Sequence, residues 1–188
     1  MLKIQQITLL FALLLVCACQ SGQQQEVKEA NVAQAEDIEQ KLKDMGIALY
    51  ELPAPEANFV RAVRTGNLVF MAGHGPVTPE GNSVTGKLGQ DLSIEEGQEA
   101  ARYVGITLLS ALKAEIGDLD KVTRIVKVLG MVNGTTDFTE QPKVMNGFSD
   151  FMVEVFGEKG KHARSAVGMG SLPNNIAVEI EMIVEIED

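Results

Sequence analysis

The chain has 188 residues, a formal charge of −10 and a hydrophobic fraction of 45%. That length accommodates one domain with a real core, and the acidity argues against nonspecific nucleic-acid binding, which relies on basic patches. Its two histidines, His74 and His162, and two cysteines, Cys17 and Cys19, make no HExxH, paired CxxC or EF-hand pattern, so no metal centre is expected.

At the amino terminus, Met1-Leu2-Lys3 is a short basic start, and Ile7 to Ala18 is apolar apart from Thr8. A run of about a dozen residues suits a signal-peptide core and falls short of the roughly 20 that span a membrane. Val16-Cys17-Ala18-Cys19 then resembles a bacterial lipobox. The reading is a signal peptide over 1–18, lipidated Cys19, a flexible Gln- and Glu-rich tether over 19–35, and a domain over 36–188. The acyl chains on Cys19 anchor the protein to the cell envelope. Gln20, in place of aspartate, favours the periplasmic side of the outer membrane. Ordinary secretory cleavage at the same bond gives a soluble periplasmic protein as the alternative. Cys17 leaves with the signal peptide and Cys19 is acylated, so the mature protein is expected to have no disulfide, and stability must come from packing, including packing between subunits.

Ile38 and Leu42 give helical spacing between Glu36 and Met45, with Gly46 as terminator. Phe59–Arg64 and Leu68–Met71 read as strands around a Thr65-Gly66-Asn67 turn. Pro79–Asn82 is a second turn, and the glycine-bearing stretch to Leu92 reads as a surface loop. Ser93 and Glu96 form a capping box opening a long helix to about Ile116. Its apolar stripe is Ala100, Tyr103, Val104, Thr107, Leu108, Ala111 and Leu112. Val122–Val132 is a strand. A helix opens near Pro142 and runs to Phe156, with Phe148, Phe151, Val155 and Phe156 as core. Arg164–Met169 and Ile176–Ile186 are the last strands. In the final one, Ile176, Val178, Ile180, Met182, Val184 and Ile186 face one way, and Glu179, Glu181, Glu185 and Glu187 the other. The order predicts an α+β fold, a mixed sheet with two main helices on one face. Subunit association then covers the other face.

Arg164 is the leading candidate for chemistry. Its guanidinium keeps its proton and presents a planar fork of donors matched to a carboxylate. Placed in a largely apolar strand it needs an anionic partner: a protein carboxylate in a structural ion pair, or the carboxylate of a substrate.

The segments Thr65-Gly66-Asn67-Leu68-Val69-Phe70, Gly73-His74-Gly75-Pro76, Gly86-Lys87-Leu88-Gly89, Gly117-Asp118-Leu119-Asp120-Lys121-Val122, Val144-Met145-Asn146-Gly147, His162-Ala163-Arg164-Ser165-Ala166-Val167, Leu172-Pro173 and Val178-Glu179-Ile180-Glu181 occur in one order over most of the domain. On these the chain resembles the RidA/YjgF/YER057c/UK114 family, also labelled endoribonuclease L-PSP, in its YjgF branch. The resemblance implies a chorismate-mutase-like fold, a homotrimer built around a central barrel, and clefts between subunits. It implies that Arg164 binds the carboxylate of a 2-imino or 2-enamino acid, and that Glu179 positions or activates water. Phe59, Gly73, His74, Asn146 and the backbone of Ala166 are implied at the substrate. The products are a 2-keto acid and ammonia, with no metal or organic cofactor. Phe59 stands where the deaminases have a tyrosine, Ala72 where they have a serine, and His74 where they have a glutamine. His74 is either a proton shuttle or a structural residue, and His162 shapes the loop before Arg164. The leading reading is an envelope-anchored imine deaminase. The alternatives are a lipid-anchored protein that binds small carboxylates without turnover and, from the older label, a ribonuclease.

Overall fold

The computed structural model describes residues 37–187; the signal peptide, Cys19 and the tether expected upstream lie outside the described residues. The elements are α1 (Ile38–Asp44), β1 (Ala62–Thr65), β2 (Leu68–Met71), α2 (Ile94–Ile116), β3 (Val122–Asn133), α3 (Gln141–Phe156), β4 (Ala163–Met169) and β5 (Val178–Ile186), with short 3-10 turns at Leu119–Lys121, Gly157–Gly160 and Pro173–Asn175. The strands form one mixed sheet in the order β1-β2-β5-β3-β4. All neighbours are antiparallel except β3 and β4, whose parallel pairing uses α3 as the crossover. The fold is thus the expected α+β layer.

Local chemistry sets the helix boundaries. Asp37 caps α1 by accepting from the Gln40 amide. At α2 the capping box is complete: Glu96 N donates to Ser93 Oγ at 3.2 Å, and Ser93 N donates to Glu96 Oε2 at 2.8 Å. Gly117, at φ 82°, ends α2 in a conformation that L side chains rarely adopt. Pro142 occupies the first turn of α3, which has no side-chain cap.

Helix α2 is buried over a wider arc than its predicted stripe. Ala101, Leu109 and Ser110 are buried as well, because α3 lies against one flank while the sheet takes another. Its buried hydroxyls turn back on their own helix, Thr107 to the Tyr103 carbonyl and Ser110 to that of Ile106. Tyr103 is only half-buried and gives its hydroxyl hydrogen to Glu99. Two expectations change in the loops. The stretch after Gly81 is not a free surface loop. Leu88 is fully buried there, its amide donates to the Asn133 carbonyl, and Thr85 bridges Ile176. The first strand starts at Ala62 and not at Phe59, because β2, its partner, ends at Met71, after which the chain moves to pair His74 with Ile180 of β5.

The register defines the two sheet faces. On the helix side, Ile125, Val128, Val132, Val178, Ile180, Met182, Val184 and Ile186 are buried against α2 and α3. On the other side Val63, Phe70 and Ile183 lie side by side across β1, β2 and β5, and Met131, Glu179 and Val167 across β3, β5 and β4. Within one chain this face is open: Val63 is 54% exposed and Phe70 41%.

The two long helices approach backbone to backbone at Gly147. A methyl there would sit on the carbonyl of Gln98 in α2, closer than any side chain packs. Gly147→Ala is therefore expected to cost about 1–3 kcal/mol in urea unfolding, as overpacking does. Gly170→Ala, whose methyl meets nothing within 4 Å, serves as the control, and equal midpoints for the two variants would refute the contact.

Candidate functional site

Arg164 faces the helix layer. It pairs in register with Val128, which in turn opposes Met182, both of them on the buried side. From β4, the edge strand, its side chain meets α3. Nη1 donates to Asn146 Oδ1 at 3.1 Å and to Ser149 Oγ at 2.9 Å, and Nη2 donates to the Pro142 carbonyl at 3.3 Å. All three acceptors are neutral. Among the described residues no carboxylate forms an ion pair with Arg164, so none of them makes the structural ion pair left open by the sequence. A guanidinium has five N–H donors. Three are engaged, which leaves hydrogens at Nε and Nη2 for an incoming anion. Ala166, two residues along the same face, is half-buried opposite Gly130.

Glu179 faces the opposite way. Its carboxylate lies directly over the α-carbon of Gly73, where any β-carbon would collide with Oε1. Partial burial raises its pKa above the ordinary glutamate value, and the charge of Glu181, two residues along the same face, adds to the rise. This produces a carboxylate with its proton affinity increased toward neutrality, the property a proton relay requires.

The candidate residues thus fall into two groups on the two faces of the sheet. Arg164, Asn146 and Ala166 form one, and Glu179 and Gly73 the other. Phe59 precedes β1 at the far edge and is 53% exposed. His74 opposes Ile180 and so points to the helix side, away from Glu179. Its Nδ1 carries the proton donated to the Ala72 carbonyl at 2.8 Å, while Nε2 is buried without a protein partner. Burial lowers its pKa, the Ala72 bond opposes that, and Arg61 lowers it further. The ring is interior, with one nitrogen bonded and the other unpartnered, and burial favours its neutral form.

Sequence reading missed Ser149 and the Pro142 carbonyl as partners of Arg164. Ser149 lies three positions after Asn146, hence on the same helix face, and that spacing was the available signal. His162 does more than shape a loop: its Nε2 lies 3.0 Å from Ser149 Oγ, and its ring meets Phe148 edge-on at 5.8 Å. Among the described residues, no three His, Cys, Asp or Glu are grouped to hold a metal ion.

A family model for endoribonuclease L-PSP matches residues 49–186. The chain belongs to the endoribonuclease L-PSP family. Protein TCP17 of Trypanosoma cruzi is 43% identical over 148 residues, which are 78% of this chain and 92% of that protein. The 2-iminobutanoate/2-iminopropanoate deaminase of Salmonella typhimurium is 30% identical over 142 residues, 73% of this chain and 94% of the enzyme. In fold, a protein of unknown function from Agrobacterium tumefaciens matches this L-PSP chain at a TM-score of 0.74 with 40% identity, covering 81% of this chain and 96% of that one.

The titration of Glu179 is directly observable. Carbon-13 NMR of the side-chain carboxyls is expected to show Glu179 with a midpoint above the ordinary glutamate range, and Glu181→Gln is expected to lower it by removing a like charge. An unmoved midpoint in that variant would leave burial as the sole cause.

Proposed function

We propose that this L-PSP family member hydrolyses 2-imino and 2-enamino acids to 2-keto acids and ammonia. The observation that carries the reading is Arg164: a half-buried cation held by neutral oxygens, with donors unspent and no ion pair to a carboxylate among the described residues. Such a group takes the carboxylate of a small acid through paired hydrogen bonds. Fixing that carboxylate orients the adjacent imine carbon, which becomes electrophilic once the nitrogen is protonated. Glu179, its proton affinity raised, accepts a proton from the attacking water. The tetrahedral intermediate holds the new C–O bond, and Glu179 returns the proton to nitrogen. As the C–N bond breaks, Glu179, now ionised again, takes the proton of the new hydroxyl, so that ammonia leaves and the keto group remains. Relatives named 2-iminobutanoate/2-iminopropanoate deaminase at about 30% identity support this chemistry. An RNA substrate fits poorly with a chain of charge −10.

The same proposal includes a homotrimer. Arg164 and Glu179 lie on opposite faces of one sheet, so a cleft that uses both takes each from a different copy. The apolar open face bearing Val63, Phe70 and Val167 is the surface for that contact. Envelope anchoring through Cys19 completes the reading, with the lipobox-like sequence as its support.

The deciding experiment generates 2-iminopropanoate in situ with an amino-acid oxidase and follows trapping of the imine by semicarbazide. Wild-type protein is expected to accelerate imine loss, and Arg164→Ala to lower kcat/KM at least a hundredfold, the cost of a misplaced substrate. Pyruvate binding without acceleration would shift the reading to a carboxylate-binding protein. In cells, labelled fatty acid is expected on the wild-type chain and not on Cys19→Ser. Equal labelling would refute the anchor.

A further inference from the structure

Behind Arg164 runs a chain of hydrogen bonds with one consistent direction. The Gly160 carbonyl can only accept, so His162 Nδ1, 2.7 Å away, carries the ring proton. A neutral ring then presents a lone pair at Nε2, and Ser149 Oγ at 3.0 Å donates to it. With its single hydrogen committed, Ser149 turns lone pairs to Arg164 Nη1 at 2.9 Å. Asn146 Oδ1 takes the other Nη1 hydrogen. Each choice fixes the next, from a backbone carbonyl to the guanidinium.

We propose that Ser149 and His162 are positioning residues that hold the Arg164 fork in place for carboxylate capture, and that protonation of His162 releases it. The claim rests on the deaminase reading only for the identity of the carboxylate; the hydrogen-bond directions stand without it. Burial keeps the His162 ring neutral, against the Gly160 bond, and the Arg164 charge adds to the effect. The groups around the ring are Phe148 and Ser149 of α3, the Gly160 carbonyl of the preceding turn, and Arg164 of β4. Arg164 supplies the charge that acts on the ring. Lys159 and Lys161 of the same stretch are engaged elsewhere, with the Val122 carbonyl and the Glu158 carboxylate.

Protonation reverses the chain. Nε2 becomes a donor, so His162 and Arg164 aim hydrogens at one serine oxygen, two cations face each other across it, and the serine hydrogen loses its acceptor. The sign of the consequence is diagnostic. An added cation by itself tightens binding of an anion as pH falls, whereas release of the fork weakens it.

The test uses the purified protein and two readouts. Without ligand, nitrogen-15 NMR is expected to resolve the two Arg164 Nη signals, reporting restricted rotation. They should merge in Ser149→Ala and His162→Leu, and in wild type below the His162 midpoint. Ser149→Thr and His162→Gln, which keep the hydroxyl and an acceptor near the Nε2 position, should restore the separation. With pyruvate as probe, affinity is expected to fall about tenfold in Ser149→Ala, the size of one charge-assisted hydrogen bond, and to fall in wild type as pH drops through the His162 titration. Merged signals in wild type at neutral pH, or unchanged signals in Ser149→Ala, overturn the positioning role. Tighter pyruvate binding on acidification overturns the release step. Resolved signals that merge in Ser149→Ala, together with no pyruvate binding at all, uphold the positioning pair and place the failure in the carboxylate reading.

Discussion

The helix layer of this protein is seated by close contact where side chains are missing. Gly147 lets α3 settle onto the carbonyl of Gln98 in α2, and Gly105 of α2 leaves room for the ring of Phe151. Interiors pack as densely as organic crystals, so a gap of one methyl at such a crossing would be felt along the whole helix. The contact fixes α3 relative to the sheet, and β4 follows α3 in the chain. As a result Pro142, Asn146 and Ser149, spread from the first turn to the middle of α3, all reach one guanidinium on the edge strand. The position of Arg164 thus depends on a packing event on the far side of α3.

Electrostatics on the two faces run in opposite senses. On the helix side a permanent cation rests on neutral oxygens, an arrangement that leaves its charge available. On the open side a carboxylate rests on a glycine backbone, where partial burial, with a second carboxylate nearby, makes it reluctant to ionise. Each group is incompletely served by its own surroundings: the cation suits an anionic group, and the carboxylate suits a cationic or proton-bearing one. That pairing of unmet needs separates these residues from the satisfied ones, such as Arg102, which is bonded to Glu154 and lies over the Phe151 ring.

Most of the elements were legible because their signals are local. The Ser93–Glu96 capping box, Gly117, Pro142 and the alternation of β5 each act within a few residues, and each bounded or oriented its element. What was not legible depends on pairing at long range. Phe59 and Val60 fall in an alternating stretch but have no partner strand among the described residues, since β2 ends too soon. Leu88 sits among glycines and polar residues, yet the core takes it because Asn133 and Thr85 draw the loop inward. At the site, the family pattern pointed to Arg164, Asn146, Gly73 and Glu179 without revealing that the sheet separates them into two pairs. Register decides that separation: Arg164 shares a face with Val128, and Glu179 with Met131. Ser149 escaped notice because a serine in a helix is ordinary until the strand opposite supplies a cation.

The separation by face has a genetic meaning. If clefts form between copies, an allele that spoils Arg164 and an allele that spoils Glu179 damage different walls of the same cavity. A cell making only one of them has no intact cleft, while a cell making both assembles mixed oligomers in which some clefts draw both sound walls. Defects would then complement according to the side of the sheet they occupy, and two lesions fifteen residues apart in sequence would behave as separate functional units.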